Sequence, residues 1–258
     1  MNDEAPAPTP YFEPTPDGGY APGAAAASPW DGAHLSGVAI GGILAHAIDG
    51  ISGDMSVARL TIDILGTAPR EKSFVTVTTR REGSRIRLVE AELSAGGRVS
   101  ARASALLVRA IETKAVETPL AWPLPEAVAV SAPSSRPELR GAIERRIVAG
   151  SIRESGPGAM WTRISVAMVA GVPLSPLVRA TMLGDMGSAI GSALPVRDYT
   201  FPNVDIAIHF SRMPRGEWLL LDALTETAGN GLAIVSSVFS DRDGVYARGH
   251  QALFLTPR

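Results

Sequence analysis

The side chains of this 258-residue chain best suited to chemistry are one carboxylate in an apolar helix and two amides on strands. Asp185 stands within LVRATMLGDMGSAIG, where a carboxylate is costly unless it is hydrogen-bonded or used. Gln251 shares strand parity with Val245, Ala247 and Leu253, the apolar side of its run, and so is expected to point inward. Asn203 shares parity with Asp205 and His209 rather than with Ile206 and Ile208, but it lies at a strand entry, where alternation need not yet hold. A buried carboxylate beside two uncharged hydrogen-bonding groups can hold a water, orient it and take its proton. That chemistry is hydrolysis without a covalent intermediate. The alternative is structural: Asp185 caps a backbone turn and Gln251 satisfies a strand edge.

An internal duplication singles out the same residues. Residues 57–108 lie on 203–254 without a gap at an offset of 146, with Ile62 on Ile208, Glu71 on Glu217, Gly83 on Gly229 and Val89 on Val235. Two copies are too few for a solenoid, so a pseudo-symmetric pair is the simpler expectation. At this offset three inward positions change from apolar to polar: Ala39 to Asp185, Val57 to Asn203 and Ala105 to Gln251. One site per chain is expected, in the second copy.

The elements that must position these side chains follow from periodicity. Residues 1–29, rich in Pro, Ala and Gly, are expected to be extended or mobile, although Tyr11 and Phe12 could pack. Residues 35–48 are apolar on nearly every side, which describes a helix surrounded by protein. Strands are expected at 57–65, 73–81, 85–94 and 98–109, forming with that helix a unit of one buried helix and a four-stranded antiparallel meander over residues 30–110. The proline-rich stretch 111–157 reads as a connection carrying one short charged helix, ELRGAIERRIV. The second copy, 158–258, opens with a strand at 159–169. Ser175 and Pro176 mark the start of a helix running to Leu194. Strands at 203–211, 217–227, 231–240 and 244–255 complete it.

Composition excludes several classes. A net charge of −2 gives no positive field for nucleic acid or an anionic membrane, and neither partner is expected. The absence of cysteine removes disulfides, thiolate metal sites and a cysteine nucleophile. The start, MNDEAPAPTP, has no basic and apolar signal pattern, so a cytoplasmic location is expected. His34, His46, His209 and His250 show no metal-ligand spacing, and no metal is expected. Neither a G-x-S-x-G elbow nor a phosphate loop is present. Trp30, Trp161 and Trp218 read as core or rim aromatics.

Gly41-Gly42 within VAIGGILAHAI, the segment NVDIAIHFSRMPRGEWLLL and the ending DGVYARGHQALF together resemble the acyl-CoA thioesterase II type. The resemblance implies an α+β double hotdog, two tandem units each with a buried helix wrapped by an antiparallel sheet. It also implies an acyl-CoA substrate, no cofactor, and a water activated by an Asp, a Thr and a Gln. Asp185 and Gln251 match two of these, while Asn203 takes the threonine position. The resemblance further implies an oxyanion and substrate-binding site at the buried helix, with Gly41 and Gly42 as its candidates. Close packing of helix on sheet is the other reading of these glycines. Arg80, Arg81 and Arg85 could meet coenzyme A phosphates or simply be solvated. Homo-oligomers of double-hotdog chains fit the resemblance. A non-catalytic acyl-CoA or acyl-chain binding protein of the same fold is the second functional reading. A hotdog hydratase ranks last, because no Asp and His pair lies near the buried helices.

Overall fold

Ser36 starts the first helix: its side chain accepts from the Ala39 N–H, satisfying one of the donors that a helix leaves open at its beginning. The helix, α1 (Gly37–Asp49), carries eight buried residues, from Ala39 to Ile48. In this computed structural model, which describes residues 9–134, 136 and 139–258, α1 is the central element of the first copy. The strands around it are β3 (Met55–Ile64), β4 (Ser73–Arg81), β5 (Ile86–Ala95) and β6 (Arg98–Arg109), close to the expected runs. Their alternation explains the burial: on β5, Val89, Ala91, Leu93 and Ala95 face α1 while the intervening residues do not. Gly96 and Gly97, both at positive φ, make the two-residue turn into β6.

The second copy repeats this with β7 (Ile143–Ala149), β8 (Gly158–Ile164), α2 (Pro176–Gly184), α3 (Gly187–Ile190), β10 (Asp205–Phe210), β11 (Trp218–Thr227), β12 (Leu232–Asp241) and β13 (Gly244–Phe254). A separate two-stranded ladder joins β9 (Tyr199–Thr200) to β14 (Thr256–Pro257). With β1 (Phe12–Pro14) and β2 (Tyr20–Pro22), the remaining strands form one twelve-stranded sheet in the order β1-β2-β4-β5-β6-β3-β10-β13-β12-β11-β8-β7. The units are therefore not simple meanders. The strand after each helix pairs with the last strand of its own copy and, across the middle of the sheet, with its twin.

That central pairing is self-complementary. Ile206 opposes Ile62 and Ile208 opposes Leu60, which at an offset of 146 are the same pair seen from either copy. Thr61 opposite Ala207, its own twin, marks the pseudo-twofold axis. The helices α1 and α2 pack against each other on the inner side of this seam.

Three expectations are corrected. Residues 9–29 are not loose: Tyr11 and Phe12 are fully buried, and their N–H groups donate to Ala167 (3.0 Å) and Met168 (2.9 Å) carbonyls. Residues 1–8 lie outside the described residues. The charged segment expected as a helix contains the strand β7 instead, because Ile143, Arg145 and Ile147 alternate with Glu144 and Arg146, a period of two hidden by the charges. The helix expected to run from Ser175 to Leu194 breaks after Gly184, with Asp185 as its cap and α3 as a separate turn. No helix among the described residues is long and apolar enough to cross a membrane.

Candidate active site

The break between α2 and α3 is what presents Asp185. Its carboxylate projects from the end of α2 toward the beginning of α1, where it lies directly against Gly37. A side chain at Gly37 would collide with it, so glycine there permits the approach. Burial raises the Asp185 pKa from 3.8 to about 6, and the hydrogen bonds from the Asn203 amide and the Val38 backbone N–H hold it from rising further. The start of α1 also carries the positive end of the helix dipole.

Asn203 and Gln251 join Asp185 in a chain of hydrogen bonds. Asn203 Nδ2 donates to Asp185 Oδ1 at 2.7 Å, and Gln251 Nε2 donates to Asn203 Oδ1 at 2.9 Å. The orientation is forced, since an ionised carboxylate only accepts, so Nδ2 must face it and Oδ1 must face Gln251. A second, longer contact runs from Gln251 Nε2 to the Asp185 carbonyl at 3.4 Å. Gln251 is 2% exposed, and its Oε1, like Ser237 Oγ, is buried without a partner among the described residues. Both atoms crowd Gly187, where a side chain would displace the glutamine.

A β-bulge resolves the parity of Asn203. In the first copy the register shifts between Val57 and Arg59, so Val57 faces inward with Leu60. The bridge of Asn203 to Leu253 is the twin of the Val57 to Leu107 pair and carries the same shift relative to Ala207 and His250. One extra residue turns Asn203 onto the inner side.

A cavity of about 970 Å³ opens at this site. Asp185, Asn203 and the first turn of α1 form one wall, while Leu139, Ile143, Ile147 and Met160 are among its apolar lining. Tyr11 also contributes, and burial raises its pKa. Trp30 packs edge-on to Phe201 with ring centroids 5.1 Å apart, and both line the same space.

Not every candidate residue comes to the site. Gly41 and Gly42 stand in the second turn of α1, where helical geometry directs their N–H groups to the carbonyls of Gly37 and Val38. Neither lines the cavity. A Cβ added at Gly41 would come within 3.3 Å of the Ile62 and Thr181 side chains, and one at Gly42 would collide with Met168, so these glycines allow α1 and its neighbours to approach. Arg80, Arg81 and Arg85 are exposed and away from the cavity, with Arg80 paired to Glu90 at 2.6 Å. The residues missed by sequence reasoning are Gly37, Val38 and Gly187. The N-cap serine could have located the first two, since helix donors remain open only in the turn that follows it.

The twin of Asp185 also changes. An offset of 146 holds through the strands, but the N-cap serines Ser36 and Ser175 are 139 apart. Counted from these caps, Asp185 corresponds to His46 rather than Ala39, and seven residues are inserted between α3 and β10.

Models of two domains match the chain: an acyl-CoA thioesterase N-terminal domain over residues 26–122 and an acyl-CoA thioesterase C-terminal domain over residues 116–255. No curated protein sequence matches it. Among solved structures, a tesB protein of Mycobacterium avium subspecies paratuberculosis is similar at 16% identity, with 89% of this chain and 90% of that chain covered and a TM-score of 0.67. An acyl-CoA thioesterase II of Mycobacterium marinum is similar at 19% identity, covering 86% and 91%, with a TM-score of 0.65. A hot dog protein of Alicyclobacillus acidocaldarius is similar at 16% identity, covering 87% and 88%, with a TM-score of 0.68. The fold is thus a double hotdog.

Proposed function

The chain belongs to the acyl-CoA thioesterase family, and from that premise we propose that it hydrolyses acyl-CoA thioesters by direct attack of water, with Asp185 as the base. The observation that carries this reading is the placement of Asp185 and Asn203 in the cavity wall beside the first turn of α1. With a pKa of about 6, the carboxylate is mostly ionised at neutral pH yet still basic enough to take a proton from water. The water oxygen bonds to the thioester carbonyl carbon as its proton passes to Asp185. The carbonyl oxygen becomes an oxyanion, favoured by the positive end of α1 at Gly37. Collapse of this intermediate breaks the carbon–sulfur bond. The proton held by Asp185 goes to the leaving thiolate, giving a carboxylic acid and coenzyme A.

Asn203 and the Val38 N–H fix the Asp185 carboxylate, whose remaining lone pairs accept from water. Gln251 acts through Asn203 and is a positioning residue. The apolar part of the cavity takes the acyl chain.

The Asn203 contact also favours a second reading, in which one carboxylate oxygen is tied up and the site binds acyl-CoA without turnover. Incubation of the purified protein with saturated acyl-CoAs from two to sixteen carbons, followed by thiol release, separates the two. Turnover at one or more lengths is expected. Binding without turnover at every length would replace the first reading with the second.

A further inference from the structure

One cation in the cavity wall has no counterpart in the proposed mechanism. On β7, Ile143, Arg145 and Ile147 line the cavity, whereas Glu144 and Arg146 lie on the opposite side. There Glu144 pairs with Arg163 at 2.7 Å, and Arg146 lies over the Trp218 ring, 4.9 Å from its centroid. Arg145 thus takes an apolar position between two isoleucines. It is half-buried, and among the described residues no carboxylate pairs with it. Burial pushes its pKa down, and no neighbouring charge counters this. A desolvated guanidinium without a partner is unfavourable and is relieved when an anion joins it.

A second polar group lies beside it. Thr162 is opposite Arg145 in the β7–β8 ladder, on the same side as Met160, which lines the cavity opposite Ile147. Thr162 is 2% exposed, and its Oγ1 has no partner among the described residues. The other arginines of the cavity, Arg136, Arg153 and Arg258, differ, Arg153 being exposed to solvent. Arg258 is exposed, donates to the Val196 carbonyl at 2.9 Å and lies over Trp30, while Arg136 donates to the Ala27 carbonyl at 2.7 Å.

We infer that Arg145 is a specificity residue that receives an anionic oxygen group borne by the acyl chain, a carboxylate at its far end, so that the preferred substrate is a dicarboxylic acyl thioester. Its place among Ile143, Ile147 and Met160 puts the cation in the apolar part of the cavity, where an acyl chain would lie. The phosphates of coenzyme A are another source of the same chemistry, but they are strongly hydrated and suit the exposed arginines better. The inference rests on the thioester reading above, and its test keeps the two apart.

The experiment compares adipoyl-CoA with hexanoyl-CoA, and suberoyl-CoA with octanoyl-CoA, on the native protein, Arg145→Leu and Arg145→Lys. Leucine should lower kcat/KM for the dicarboxylic ester by about tenfold or more, the scale of a lost charge-assisted bond, and leave its monocarboxylic match within about twofold. Lysine should retain part of the preference, and it answers the question if the leucine variant does not fold. An equal fall for both members of a pair would overturn the inference in favour of the carrier phosphates. No change in either would make Arg145 structural. If the native protein turns nothing over, calorimetric binding of the same pairs reads the same ratio, so loss of the catalytic reading does not obscure this one.

Discussion

Asp185→Asn should do two opposite things at once. The side chain keeps its shape but loses the ability to take a proton, and removal of a general base lowers the rate by about 10² to 10⁴. Stability should move the other way. In the folded protein burial raises the Asp185 pKa from 3.8 to about 6. At about 1.4 kcal/mol per pKa unit, ionising it there costs about 3 kcal/mol, an upper bound because the carboxylate opens on the cavity and is partly solvated. The native contribution of this group is fully present below about pH 3.8 and is lost as the pH rises through about 6. Asparagine removes that cost but offers an N–H toward Val38, forfeiting one contact of about 1 kcal/mol. The variant should therefore be about 1 to 2 kcal/mol more stable than native at pH 7.5 and about 1 kcal/mol less stable near pH 3.5, where the native carboxyl is neutral and only the lost contact counts. For a chain of this length the gain is a Tm increase of about 2 to 8 °C. Thiol release can be followed with a disulfide reagent without background, because the chain has no cysteine. The native kcat/KM should climb with pH to an inflection near 6. Retention of more than about a tenth of native kcat/KM by the variant, or a flat native profile between pH 5 and 8, would refute Asp185 as base. A variant less stable than native at pH 7.5 would refute the cost assigned to its burial.

Gly187→Ala should push Gln251 off Asn203 and lower kcat by about tenfold while KM and the melting profile change little, measured by steady-state kinetics and calorimetry. Asp241→Ala should cost about 3 to 5 kcal/mol in denaturant titration, since it strands Arg212, whose Nη1 and Nη2 donate to this fully buried carboxylate at 2.5 and 2.7 Å. Removal of residues 1–22 should cost about 3 to 6 kcal/mol by the same titration, because it exposes the surfaces that Tyr11 and Phe12 cover.

Much of the fold was legible because its strands alternate. The limits of β4 and β6 match their expected runs residue for residue, and the ungapped offset foretold the twin strands that pair at the pseudo-axis. What remained hidden lies where tertiary context overrides local pattern. β7 reads as a charged helix because Arg145 occupies an inward position that alternation would give to an aliphatic residue. The α2 break is masked because Gly184, Asp185 and Met186 sit in a stretch whose apolar content continues on both sides. Tyr11 and Phe12 pack within a segment whose composition otherwise suits an unfolded chain, and two aromatics among prolines give no periodicity to read. Within the candidate site, Asp185 could be picked out by its burial cost and Asn203 and Gln251 by comparing the strands of the two copies, whereas the pairing of Asp185 with Ala39 fails because the helix offset is 139. The order of the trio, with Gln251 reaching the Asp185 carboxylate through Asn203, depends on rotamers that no sequence comparison supplies.

The same twofold relation explains why the chemistry would be confined to one side of the molecule. Counted from the N-cap serines, the position of Gly37 in the first copy is taken by Pro176 in the second, and the position of Asp185 in the second is taken by His46 in the first. Proline has no N–H to offer at a helix start, and its ring fills the space that Gly37 leaves for a carboxylate. His46 is half-buried within an unbroken α1, and burial lowers its pKa, so it is a neutral imidazole rather than a carboxylate presented at a helix break. Val57 and Ala105, the strand twins of Asn203 and Gln251, are buried and have no polar side-chain atoms. The pseudo-equivalent position thus lacks the base, the first N–H of the helix and the amide relay together. A single substitution such as His46→Asp would add a half-buried carboxylate without the amide partners that Asp185 has, since Val57 and Ala105 stand where Asn203 and Gln251 do. It should therefore destabilise the fold without creating a second site, and thiol release by a His46→Asp, Asp185→Asn double variant should be no higher than by Asp185→Asn alone.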